Sequence, residues 1–117
     1  MMIKRRKRAK ANIRQDAAVR SIPHMKWVRG FACAARERDC SDRMEVHHVR
    51  LGSHTGMAQK PGDDQVVPLC SYHHTSLHVL GQETFARRYK VDLSKLAAQL
   101  WQRSPARIKR ERKESRP

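Results

Sequence analysis

The sequence predicts a small α+β domain: two short strands joined by a long loop and followed at once by a helix, with further helices on the C-terminal side and a basic arm at each end. Three observations carry this. Strand-like runs at Arg43–Arg50 and Gln65–Leu69 flank a glycine-containing loop from Gly52 to Gly62. All three cysteines and six of the seven histidines fall between residues 33 and 78. Residues 1–20 hold eight basic and one acidic residue and residues 103–117 seven and two, so the ends carry +12 of the net +15. The 117 residues therefore divide into a basic arm (1–22), a central domain (23–103) and a basic tail (104–117).

The elements follow in chain order. Lys4, Arg5, Arg6, Lys7 and Arg8 sit in a stretch with almost nothing to bury, which reads as a solvated arm that attracts phosphate by counterion release. His24–Arg29 predicts a short helix or turn stopped by Gly30, with Trp27 and Phe31 as core anchors. The first strand then ends in the doublet His47–His48. In the second run Pro68 lacks an amide hydrogen and must lie on an edge or at a strand end. Ser71 reads as the N-cap of a helix running to Gly81, followed by helices over Glu83–Lys90 and Asp92 to about residue 102. In the last of these Leu93, Leu96, Ala97, Leu100 and Trp101 keep the spacing of one buried face. The tail from Arg107 to Lys113 reads as a second solvated arm or frayed helix.

Composition narrows the function classes. With 38% apolar residues, six aromatics and no apolar run near the ~20 residues of a bilayer span, a membrane partner is not expected. The basic N-terminus has no apolar signal core, and an odd cysteine count then points to a reducing cytoplasm, where Cys grouped with His binds metal. A domain this small has little core, and a metal staple compensates. Cys33 and Cys40 bracket a six-residue loop, and Cys70 and His73 form a C-x-x-H pair at a helix start, so the four suit a closed, tetrahedral structural Zn²⁺ site. His74 and His78, four apart, share a helix face. With one imidazole from His47 or His48 they can hold a second divalent cation while the other imidazole stays free. His24 and His54 have no such partners in the sequence.

Three phrases together resemble the ββα-metal, or HNH, nucleases, and more closely the phage-type branch of recombination-enhancement, RecA-dependent nucleases. They are Val46-His47-His48-Val49-Arg50, Lys60-Pro61-Gly62-Asp63, and Val67-Pro68-Leu69-Cys70-x-x-His73-His74-x-x-Leu77-His78. The resemblance implies a zinc-stapled, treble-clef-like ββα-metal core and hydrolysis of DNA phosphodiesters to 5′-phosphate and 3′-hydroxyl ends. It makes His48 the general base and His47, His74 and His78 ligands of a catalytic Mg²⁺, Mn²⁺ or Zn²⁺. It matches Cys70 and His73 to the structural-zinc half of the motif, while the C-x6-C spacing of Cys33 and Cys40 is longer than the family's usual C-x-x-C. The family's middle Asn is missing, and Asp63 or Asp64 lies nearest its place. Arg50 and Lys60 flank the hairpin where they can neutralise phosphates. The implied setting is a bacterial host cytoplasm, with DNA and a recombinase filament or other recombination protein as partners. The competing reading from another class is a non-catalytic zinc module that binds nucleic acid through its arms.

Overall fold

In a computed structural model of the chain, residues 18–36, 39–50 and 61–114 are described. The proposed DNA-contacting residues Lys4, Arg5, Arg6, Lys7, Arg8 and Lys60, and the bystander His54, lie outside them. The described residues form a small α+β fold of one two-stranded antiparallel sheet and five helices: α1 (Ile22–Arg29), β1 (Met44–His48), β2 (Val66–Cys70), α2 (Ser71–Leu80), α3 (Gln82–Arg88), α4 (Leu93–Arg103) and α5 (Pro105–Glu114).

Strand pairing sets His47 opposite Val67 and Val46 opposite Pro68. The register continues outward to Val49 and Gln65, where the Val49 amide donates to the Gln65 carbonyl at 2.7 Å. Hydrogen-bonded pairs alternate along an antiparallel ladder, so Pro68 falls on a non-bonded pair and its missing N–H costs the sheet nothing. Its carbonyl faces outward and accepts from the Ala34 amide at 2.9 Å, which ties the Cys33–Cys40 loop to the outer edge of β2. Both faces of β2 are covered. Val67 and Leu69 pack with Val49, Leu77, Phe85, Leu93 and Ala97, while Val66 packs with Val28, Leu100 and the half-buried Val46, Trp27 and Phe31.

Helix limits follow local chemistry. Ser21 caps α1 by accepting from the His24 amide, and Pro23 sits in the first turn, where its missing donor is harmless. At α2 the cap is Cys70 and not Ser71: the Cys70 sulfur accepts from the His73 amide, whereas the Ser71 hydroxyl is 2.7 Å from that of Ser41. Gly81, at φ 90°, ends α2 and permits the turn into α3. Asp92 caps α4, which buries Leu93, Ala97 and Leu100 as its periodicity predicts. The expected solvated tail forms α5 with no buried residue, although Ser104 just before it is fully buried. His24, a bystander in the sequence, is also fully buried, with Nδ1 2.7 Å from the Ser104 hydroxyl and its ring edge-on to Trp101.

Candidate metal centres

The first cluster joins three segments. The Sγ atoms of Cys33, Cys40 and Cys70 lie 3.6, 3.5 and 3.0 Å from His73 Nδ1. Tetrahedral zinc, with bonds of about 2.3 Å to sulfur and 2.0–2.1 Å to nitrogen, holds such atoms about 3.6 Å apart. The four residues are therefore close enough to share one ion, and the C-x6-C loop is long enough to close on the helix start. None of the three cysteines is in a disulfide. Burial alone would raise the Cys70 thiol, but hydrogen bonds from the His73 amide, from Ser41 and from the His73 ring bring it down to about 6, favouring the thiolate a metal needs. Asp39 Oδ1 stands 3.2 Å from the buried His73 Nε2, off the direction of a hydrogen bond.

The second cluster lies between β1 and α2. His74 Nε2 is 3.3 Å from His47 Nδ1 and 3.3 Å from His78 Nε2, the separation of two imidazole nitrogens on one tetrahedral ion, about 3.3–3.4 Å. The outward nitrogens explain why these edges converge. His74 Nδ1 is 2.8 Å from Glu45 Oε1, and His47 Nε2 is 3.4 Å from Gln82 Oε1. Each can donate only if its proton sits on that outer nitrogen, which leaves two lone pairs facing each other. A cation between them removes the repulsion, so the donor set fits a metal. Burial, with the charges of His74, His78 and His48 adding to it against the Gln82 hydrogen bond, pushes the His47 imidazole down to about 4 and keeps it neutral as a ligand.

His48, next in the chain, joins neither cluster among the described residues. Its Nε2 is 2.9 Å from Asp63 Oδ1. Asp63 is 5% exposed and is held on its other oxygen by the Ser21 amide at 2.7 Å, with Arg20 Nη1 3.9 Å away. Burial would raise its carboxyl, but the His48 and Ser21 hydrogen bonds and the neighbouring His48 and Arg20 charges outweigh this and hold it below the usual carboxylate range. Its own amide donates to the Val19 carbonyl at 2.8 Å. Val19 to Ser21, assigned to the arm by composition, are thus built into the His48 surroundings. Of Asp63 and Asp64, Asp63 is the one on His48.

Arg50 is exposed, and its backbone is clamped by Gln82, which accepts from its amide at 3.0 Å and donates to its carbonyl at 2.8 Å. Sequence reasoning missed Glu45, Gln82, Asp39 and Ser21. Glu45 carried a signal, since it lies two residues before His47 and so on the same strand face. Gln82 carried none. No helix among the described residues is long and apolar enough to cross a membrane. No protein-family model, curated protein or solved structure matches the chain.

Proposed function

We propose that the chain is an HNH-type, metal-dependent endonuclease that hydrolyses DNA phosphodiesters, acting in recombination or a related step of DNA processing in a bacterial cytoplasm. The observation that carries the reading is His48: an imidazole oriented by a buried carboxylate, next in sequence to His47 of the three-histidine cluster. A purely structural metal site has no use for such a neighbour.

The chemistry follows from the protons. Asp63 accepts from His48 Nε2, which fixes the tautomer and leaves Nδ1 with the lone pair. Nδ1 is then the atom that takes the proton of the attacking water. His47, His74 and His78 would hold the catalytic cation, which when bound supplies positive charge to the developing oxyanions and the leaving 3′ oxygen. An all-imidazole set suits Zn²⁺ better than Mg²⁺, which prefers oxygen ligands. Cys33, Cys40, Cys70 and His73 would hold the zinc that ties the loop to α2. Arg50 and the basic arms supply phosphate contacts without sequence information.

A plasmid-nicking assay with added Zn²⁺, Mn²⁺ or Mg²⁺ tests this directly. The parent should nick with at least one of the three, and His48→Ala should not. A parent that binds DNA and holds metal but never cuts would establish the zinc-module reading instead.

A further inference from the structure

A cleft of about 680 Å³ opens along the outer edge of β2, between the segment 31–36, the turn from α3 into α4, and α4 itself. No residue of either cation cluster lines it, and neither do His48 and Asp63. Four cations do: Arg36, Lys90, Lys95 and Arg103. The single carboxylate in the lining, Asp92, is occupied in capping the Lys95 amide at 3.0 Å. None of the four cations is ion-paired with a described residue. Between them apolar side chains form part of the wall, Phe31 and Leu96 half-buried among them, with Tyr89 and Gln99 alongside.

The backbone adds an independent observation. Among the described residues only two that are not glycine have positive φ, Arg36 at 51° and Lys90 at 53°, and both line this cleft. Lys90 follows the C-cap of α3, where glycine is the residue that fits the left-handed conformation without strain. Side chains with a Cβ resist that region, and both strained positions present a cation at this cleft.

We propose that this cleft binds an unpaired nucleotide of single-stranded DNA, its phosphates on the four cations and its base against Phe31 and the apolar part of the wall. Basic grooves that carry aromatic rings bind single strands in this way. The volume falls in the range of sites for small ligands, about 300–1,000 Å³, which suits one splayed nucleotide. The choice of DNA as the nucleic acid rests on the proposed function, whereas the cleft and its charge do not.

The test is fluorescence anisotropy with labelled oligo(dT) and a hairpin duplex of equal length, in a His48→Ala background that leaves the probe uncut. Arg36→Gly/Lys90→Gly removes two charges while suiting the positive φ, so its melting temperature should stay at the parental value. Oligo(dT) affinity should fall about tenfold, and the slope of log K against log salt should shrink by about 1.4, at ~0.7 per single-strand phosphate contact. Duplex affinity should hold. If the glycine pair melts low, Lys95→Gln/Arg103→Gln on the exposed side of α4 gives the same reading. Parental oligo(dT) affinity and slope in both pairs, or equal losses on oligo(dT) and duplex, would overturn the proposal. Because only binding is read, an inactive parent in the nicking assay leaves this result separate.

Discussion

His48 and Asp63 meet at 2.9 Å across fifteen residues of chain, the first on the end of a strand and the second buried in the loop that leads into the next. When His48 donates through Nε2, the contact leaves Nδ1 of this half-exposed imidazole as the atom able to accept a proton, the one the proposed mechanism uses. His48→Ala should therefore lose about 10²–10⁴ in cutting rate while keeping its metal and its DNA affinity. Asp63→Asn should retain metal and lose less, since only the tautomer and orientation are released. Single-turnover cutting rates of the three proteins check this, and parental cutting by His48→Ala would falsify the assignment.

If His47, His74 and His78 hold a cation, its affinity should depend on their outer hydrogen bonds. His74→Ala should lose the exchangeable cation and cutting together. Glu45→Gln, which weakens the acceptor on His74 Nδ1, should lower metal affinity about 10–100-fold with the fold intact. Isothermal titration with Zn²⁺ measures both, and unchanged affinity in Glu45→Gln would remove Glu45 from the site.

Protein purified without chelator should carry about one tightly held zinc per chain, on the three sulfurs and His73 Nδ1. Binding of a structural zinc is coupled to folding, so with zinc at this site Cys70→Ser should lose the metal and the cooperative melt together. Acid should release the metal only well below about 6, the value of the metal-free Cys70 thiol, because a bound cation opposes protonation of the thiolate. Elemental analysis across that pH range decides the point; a well-folded, zinc-free preparation at neutral pH contradicts it.

His24 adds a pH dependence that involves no metal. Burial lowers its pKa, against the raising effect of Asp64 and Asp63, so the unfolded chain binds the proton more readily than the folded one. Its contribution to stability is therefore complete above the unfolded value of ~6.5 and is lost as pH drops from there toward the lower folded value. Thermal melts between neutral and mildly acidic pH should show a smaller decline for His24→Gln than for the parent. Identical slopes would mean that His24 is not a source of the acid sensitivity.

The N-terminal arm divides at Val19. Deleting residues 1–17 should weaken duplex binding and shrink its salt slope by up to ~0.9 per lost phosphate contact, with cutting at saturating DNA near the parental rate. Extending the deletion through residue 21 also removes the Val19 and Ser21 contacts to Asp63, and should cut slowly even when saturated. Equal cutting by the two truncations would show that these contacts do not position the carboxylate.

Much of this was legible in the residues because it is local. Period-two runs, Pro68, Gly81, Asp92 and the apolar spacing of α4 each act within a few residues, and the i, i+4 pair His74 and His78 follows from one helix turn. The Cys₃His grouping was readable from ligand chemistry alone. Tertiary structure decided what depends on chain segments meeting. It selected Asp63 over Asp64, gave His74 to Glu45 and His47 to Gln82, and moved the α2 cap from Ser71 to Cys70 because Ser41 claims the serine hydroxyl. It also buried His24 against Ser104, eighty residues away. No periodicity records such pairs, since each is set by how the helices cover the two faces of a single short sheet.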